Sequence, residues 1–329
     1  MKQRGVSMGF DLIGDVHGQD GKLEGLLMKM GYVPKGRGYR APTGRKVVFL
    51  GDLIDRGPGQ LRVLEIAHAM VDSGDAMCVM GNHEFNAITY VVEDPWNPGE
   101  FMRPNRRESP AAIKNRAQHA EFLAQVGQGS DAHSGWVQWF RGLPVFLDLG
   151  GIRAVHGCWS DDAVQLLSNI GWSPGQVLTD DLLYRVGRNV PRDQESELVR
   201  ARKLLTCGLE LPLPRGRFIL DKSGHKHEEV RIANWRDWAE EFHQVALVPP
   251  GQEAQLAGME WPAELVISEI QGSPIFVGHH WFHGHPRIEG PKLACLDWSA
   301  GKGGPLVAYR WNGEAELSND NLVSHLGQA

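Results

Sequence analysis

Val47-Val48-Phe49-Leu50-Gly51-Asp52-Leu53-Ile54-Asp55-Arg56-Gly57-Pro58 is an apolar run that stops at a carboxylate and is closely followed by a second carboxylate and a guanidinium. The unbroken apolar row reads as a buried strand. The charged tail reads as a site at the carboxyl end of that strand, where ligands collect in open α/β sheets. Burying Asp52 against a hydrophobic strand is costly unless a cation compensates it. A metal ion or a strong ion pair is therefore expected there.

The same unit recurs on either side. Residues 9–14 form a short apolar strand that ends in Asp15-Val16-His17-Gly18, and Leu23, Leu26, Leu27 and Met30 then follow at helical spacing. Residues 77–80 form another strand, ending in Gly81-Asn82-His83-Glu84 and leading into a helix with Phe85, Ile88 and Val91. Between them, residues 31–44 read as a loop or loose hairpin, and a helix carrying Leu61, Val63, Leu64, Ile66 and Ala67 begins near Pro58. Strand, polar cluster and helix thus alternate three times, which predicts an α/β protein whose clusters converge in space.

Farther along, residues 94–110 read as a Pro-rich loop, 111–126 as a helix and 128–134 as a polar linker. Residues 145–149 and 152–155 read as strands hinged at Gly150-Gly151, the second ending in His156-Gly157. Residues 274–277 repeat the pattern and run into Gly278-His279-His280, while 293–297 and 306–311 read as closing strands. The region 158–273 is expected to be an elaborated insert in a single domain spanning residues 1–329. Within it, helices are expected at 161–169, 195–205 and 235–242, and a hairpin at 218–232 around Asp221-Lys222-Ser223-Gly224.

Composition narrows the function classes. A chain of 329 residues with 42% hydrophobic and 22% charged residues can bury a sizeable core. A net charge of -6 and a pI of about 6.2 give no general attraction to nucleic acid or an anionic membrane, so phosphate binding must be local. Cys78, Cys158, Cys207 and Cys295 are scattered, which argues against a zinc ribbon or a disulfide scaffold. Lys2 and Arg4 precede an apolar stretch that Asp11 interrupts, too short for a signal segment or membrane span. A soluble cytoplasmic protein is expected, with residues 1–7 as a dispensable extension.

The chemistry follows from the donor types. Asp15 and His17 stand one residue apart, so an extended chain presents both on one face, toward one metal ion. Asp52 can share its carboxylate with a second ion, for which Asn82, His156 and His279 offer a carbonyl oxygen and two imidazoles. Carboxylate, carbonyl and imidazole without thiolate suit manganese, iron or zinc rather than calcium. Two such ions together clamp the attacking and leaving oxygens of a phosphoryl displacement.

Asp-x-His, Gly-Asp-x-x-Asp-Arg-Gly, Gly-Asn-His-Glu, an apolar strand ending in His-Gly and a late one ending in Gly-His, in this order, resemble the calcineurin-like metallophosphoesterases. The likeness is greatest to the phosphoprotein phosphatase branch, including its small bacterial and phage members and the diadenosine tetraphosphatases. It implies a four-layer α/β/β/α sandwich and two divalent ions, manganese foremost, with iron or zinc as alternatives. It implies Asp15, His17 and Asp52 on the first ion, and Asp52, Asn82, His156 and His279 on the second, with a metal-bridging hydroxide as nucleophile. It further implies that His83 protonates the leaving alkoxide, that Asp55 holds this imidazole and that Arg56 and Asn82 grip the phosphate. A further phosphate-binding arginine should follow His156, with Arg185 and Arg188 as candidates and Arg188 taken first.

The tetraphosphatases tend to lack the second acid of Gly-Asp-x-x-Asp-Arg, so Asp55 favours a serine/threonine protein phosphatase acting on phosphoproteins or small phosphomonoesters. Residues 56–61 instead resemble the tetraphosphatase continuation, which keeps a dinucleoside polyphosphate or RNA-cap hydrolase as the alternative. Several other residues read more plainly. His225 and His227 are expected at the surface, Arg103, Arg106 and Arg107 on a solvated loop, and Cys158 outside the chemistry. Trp235, Trp238, Trp261, Trp281 and Trp298 are expected in core or lid packing rather than in a base-stacking platform.

Overall fold

The computed structural model describes residues 8–220, 226–249, 251–263, 265–267 and 269–327. The opening strand, Arg45–Phe49, lies inside a five-stranded sheet, parallel to Gly9–Ile13 on one side and to Ala76–Cys78 on the other. Leu306–Trp311 pairs antiparallel with Gly9–Ile13, and Leu322–His325 completes that edge. A second sheet has the order Leu293–Cys295, Ile275–Val277, Arg153–Val155, Phe146–Asp148, with its first three strands parallel.

Period-two alternation assigns each strand two faces. Val48, Leu50, Phe10 and Leu12 from the first sheet share one buried cluster with Ile152, Ala154, Phe276 and Ala294 from the second, so the sheets pack face to face. Val47, Phe49 and Ile13 belong instead to the cluster of Leu23, Leu26, Val63 and Ile66, on helices Asp20–Lys29 and Gln60–Asp72. On the far side, Val155, Ile275 and Val277 join the same cluster as Leu167 and Leu205, from helices Asp161–Asn169 and Glu197–Cys207. Helices, sheet, sheet and helices make the expected α/β/β/α sandwich.

Three parallel neighbours in each sheet end along a common edge, and this converges the polar clusters. The backbone links them: Val16 and His17 donate to the Asp52 carbonyl at 3.1 and 2.8 Å, and Gly278 donates to the His156 carbonyl at 3.0 Å.

Several local expectations change. Residues 128–134 are not all linker, because helix Asp131–Arg141 starts within them, capped by the Ser130 side chain, which accepts from the His133 amide. Helix Asp180–Gly187, capped by Thr179, lies in the region taken as insert. Residues 235–242 form turns rather than a helix, and only Phe242–Val245 is helical. Strands Ile219–Leu220 and Lys226–His227 do pair antiparallel, while the expected hairpin tip, His225 and residues 1–7 lie outside the described residues. Glu229–Ile232 belongs to a separate sheet with Leu209–Pro212 and Ala246–Leu247, which has its own apolar cluster around Leu211, Val230, Ile232 and Phe242.

Candidate metal centre

The residues expected at the site meet at the common edge. Asp52 is central: its Oδ2 lies 3.6 Å from His17 Nε2, 3.8 Å from His83 Nε2 and 3.3 Å from His156 Nε2. Asn82 Oδ1 lies 3.2 Å from His156 Nε2 and 2.8 Å from His279 Nδ1. Asp15 Oδ2 is 3.9 Å from His17 Nε2, and its carboxylate accepts the His279 amide at 3.1 and 3.2 Å. Among the described residues two groups have the spacing to hold a metal ion, His17–Asp52–His83 and Asp52–His156–His279, and Asp52 is common to both. His83 stands in the first group where sequence reasoning expected Asp15, which remains beside it.

The backbone is shaped to this arrangement. All seven non-glycine residues with positive φ among the described residues belong to these loops or the loops that follow: His17, Asp52, Asp55, Arg56, His279, Trp281 and Ser299. Such conformations are costly for residues with a Cβ and gather where a site fixes them. Two glycines allow the close approach. A Cβ on Gly81 would lie 2.2 Å from Asp52 Oδ1, and one on Gly278 2.2 Å from Asp15 Oδ1.

A ring of partners orients the donors. His17 Nδ1 donates to the Ile54 carbonyl at 2.8 Å and His156 Nδ1 to the Leu50 carbonyl at 2.6 Å. A carbonyl can only accept, so Nδ1 carries a proton in both rings, and in the neutral imidazole Nε2 carries the lone pair directed into the cluster. Glu84 accepts from the amides of Asp52, Leu53 and Gly81 at 2.9, 2.8 and 2.9 Å, tying the two loops together. Gln60 accepts the Asp55 amide at 2.7 Å and donates to the Gly57 carbonyl at 2.6 Å, which fixes the Asp55–Gly57 turn.

The electrostatics call for cations. Burial raises the Asp15 carboxyl well above its ordinary value, and Asp297 and Asp52 add to this. For Asp52 burial acts in the same direction, but His156 and His83 outweigh it and hold the carboxyl well below the usual range. Burial alone would depress His156, yet Asp52 and Asp15 push it up to about 10. Burial, Arg56 and His83 lower His17, and burial, Arg231 and His156 lower His279. His17 and His279 each keep a buried Nε2 without a hydrogen-bond partner, an expensive omission unless another group fills it. The neutral imidazoles of His17 and His279 with their orphaned nitrogens, and the buried carboxylates beside them, together fit divalent ions.

Beside the cluster lies a second set. His83 Nδ1 is 2.5 Å from Asp55 Oδ2, and His119 Nδ1 is 2.7 Å from Asp55 Oδ1, so one carboxylate binds two imidazoles. Burial opposes ionisation of Asp55, but these two histidines hold it far below the usual carboxylate range. Gln118 Nε2 lies 3.3 Å from His83 Nε2, and Arg103 fixes that amide by donating to Gln118 Oε1 at 2.7 Å. Arg56 is exposed at the rim. Arg185 is exposed on helix Asp180–Gly187, and the Arg188 guanidinium stacks 5.0 Å from the centre of the Trp96 ring, so neither is brought into the cluster.

Sequence reasoning missed His119, Gln118, Asp297 and Arg231. His119 and Gln118 lie on helix Pro110–Val126 with no motif around them. The signal for Asp297 was available, because it follows the apolar run Leu293–Cys295 as Asp52 follows its own strand.

A family model described as calcineurin-like phosphoesterase matches residues 8–203, more than half of the chain. The chain belongs to the calcineurin-like phosphoesterases. Its site is thus a metal-dependent phosphoesterase site, with two clusters able to hold ions. Among curated relatives, the bis(5'-nucleosyl)-tetraphosphatase PrpE of Oceanobacillus iheyensis is 42% identical over 148 residues, 45% of this chain and 54% of that protein. PrpE of Halalkalibacterium halodurans is 44% identical over 85 residues, 26% and 35% of the two chains. The matched stretches thus span about half or less of these relatives. A solved serine/threonine phosphatase from Saccharomyces cerevisiae aligns over 99% of this chain and 82% of its own, at 14% identity and a TM-score of 0.46, too loose a superposition to distinguish branches. No helix among the described residues is long and apolar enough to cross a membrane.

Proposed function

We propose that this calcineurin-like phosphoesterase hydrolyses dinucleoside polyphosphates, with two divalent ions held by Asp15, His17, Asp52, Asn82, His156 and His279. The observation that carries the hydrolytic chemistry is the single Asp52 carboxylate shared by two donor clusters beside the His83–Asp55 pair. The names of the tetraphosphatase relatives support the substrate class, and they shift the balance from the protein phosphatase expected on the strength of Asp55 to its alternative. Manganese is the ion proposed first, and oxygen and imidazole donors without thiolate suit it as they do iron or zinc. The chain is proposed to be one domain, with the 158–273 region an elaboration of it.

When bound, the ions supply activated water and neutralise charge on the phosphoryl oxygens. The protein does the rest. Asp55 accepts from Nδ1 of His83 and so turns its Nε2 toward the cluster, where it delivers a proton to the leaving phosphate oxygen. His119 on the opposite carboxylate oxygen keeps Asp55 from rotating. Arg56, exposed at the rim, takes the non-bridging oxygens of the phosphate chain through its planar fork of donors. Asn82 presents its amide at the same place.

The test is a panel of manganese-loaded protein against diadenosine tetraphosphate, a phosphoserine peptide and p-nitrophenyl phosphate. Higher kcat/KM on diadenosine tetraphosphate than on the peptide is expected, with all turnover lost in excess chelator. The reverse order would return the protein to the protein phosphatases.

A further inference from the structure

A cavity of about 240 Å³ opens beside the metal centre, and Arg56 is part of its wall. Trp281, two residues beyond His279, also lines it. The cavity is also lined by Ile219 and Leu247, buried apolar side chains of the 158–273 region, and by Glu210 and Arg231. A larger cavity of about 560 Å³, between helices Asp161–Asn169 and Glu197–Cys207, is lined by none of the clustered donors and not by Arg56. Only the smaller one adjoins the chemistry.

Its walls are fixed to the metal centre. Arg231 donates from Nη1 to the carbonyl of His279 at 3.0 Å, and from Nε to Glu210 Oε1 at 3.0 Å. The sheet of the elaborated region is thereby tied to a proposed metal ligand. The buried Asp297 carboxylate accepts the Trp281 amide at 2.7 Å and the Ser299 amide at 2.9 Å. Both residues have positive φ, 39° and 59°, and both line the cavity. Backbone strain held in place at a cavity wall is a mark of a ligand clamp. At Trp281 core packing does not account for it, because this indole is only half-buried whereas that of Trp298 is fully buried.

The chemistry of the walls identifies the guest. The volume falls below the ~300–1,000 Å³ of pockets that engulf drug-sized ligands, so it admits one planar ring system rather than a peptide segment. An indole and aliphatic side chains in the wall of one cavity suit the faces of such a ring. Glu210 can accept from an exocyclic amine, and Arg56 can hold the phosphate joined to the same ligand.

We infer that this cavity, built by Trp281, Arg56 and the 158–273 region, is the nucleoside subsite that selects dinucleoside polyphosphates over simple phosphoesters, with the base stacked on Trp281. The inference rests on the substrate class proposed above. It gives the elaborated region a role in specificity and reassigns Trp281 from packing to base stacking.

The experiment compares manganese-loaded wild type, Trp281→Phe and Trp281→Ala on diadenosine tetraphosphate and on glycerol 2-phosphate, an aliphatic phosphomonoester with no ring to stack. Phosphate release gives kcat and KM, and calorimetry with adenosine gives binding without turnover. Trp281→Ala should lower the ratio of kcat/KM for diadenosine tetraphosphate to that for glycerol 2-phosphate about tenfold, through KM, while Trp281→Phe should keep it within about threefold. Adenosine binding should be lost in Trp281→Ala and kept in Trp281→Phe. Turnover of glycerol 2-phosphate reports that each variant is folded. An unchanged ratio and unchanged adenosine binding in Trp281→Ala would overturn the subsite. A wild type that turns over glycerol 2-phosphate but not diadenosine tetraphosphate would instead overturn the substrate class beneath it.

Discussion

Replacing Asp55 with asparagine separates orientation of His83 from metal binding. The wild-type carboxylate serves two imidazoles, at 2.5 Å from His83 and 2.7 Å from His119. An asparagine offers one oxygen and one amide nitrogen, so only one of the two histidines can still donate to it. His119 is the easier one to change, since its Nε2 is buried without a partner and can take the proton when Nδ1 becomes the acceptor. His83 then keeps a bond to oxygen, but an ordinary one in place of a charge-assisted one. Hydrogen bonds to charged groups contribute about 1.5–3 kcal/mol where neutral ones contribute about 0.5–1.5. Water cannot make up the difference, because both side chains are only 2–3% exposed. His83 therefore loses the difference, about 1–1.5 kcal/mol, and if all of it acts on the proton transfer, kcat should fall about 5- to 13-fold. The assay is steady-state hydrolysis of diadenosine tetraphosphate by Asp55→Asn, with metal content measured on the same sample. A kcat within about threefold of wild type at full metal content would refute the role, and so would a loss of activity that merely tracks a loss of metal.

Other outcomes follow from the same structure. His83→Asn should reduce turnover by at least about 100-fold, the usual scale for a general acid, while two ions per chain remain bound. Loss of an ion would instead make His83 a ligand, an arrangement that the spacing of His17, Asp52 and His83 permits. Glu100 accepts from the amides of Phe101, Asn105, Arg106 and Arg107 at 2.9–3.0 Å. Burial opposes its ionisation, but these four donors hold its carboxyl at about 2 against an ordinary 4.5. Its stabilising contribution is therefore complete above pH 4.5 and lost as pH falls toward 2. Thermal melts should show Glu100→Gln with a lower Tm than wild type at pH 7 and a shallower decline between pH 4.5 and 2. Equal slopes would dismiss the effect. Gly278→Ala, whose Cβ would meet Asp15 Oδ1, should bind less metal per chain than wild type, measured by mass spectrometry of the element.

The parts of this account legible in the sequence are those that local chemistry dictates. Asp15, Asp52, Asn82, His156 and His279 each follow an apolar run, so strand and site were read together. Helices at 20–29 and 60–72 showed their buried faces as periodic leucine, valine and isoleucine. Residues 235–242 mislead for the converse reason: Trp235, Trp238 and Phe242 imitate helical spacing. There Arg236 donates to Glu289 Oε2 and the Gln244 carbonyl, so contacts to distant and neighbouring segments outweigh the local pattern. Helix Asp131–Arg141 was hidden by a polar start and Gly135, although Ser130 offered a readable cap. His119 and Arg231 owe their places to tertiary contacts, Asp55 for one and the His279 carbonyl for the other, and no neighbouring residue announces either.

The central claim is a pair of ions that share Asp52. Counting manganese bound per chain at equilibrium, for wild type, His17→Ala, His279→Ala and Asp52→Asn, tests it most directly. Two ions in the wild type, one in each histidine variant and none held tightly in Asp52→Asn is the predicted pattern. One ion in the wild type, or two retained in Asp52→Asn, would contradict it.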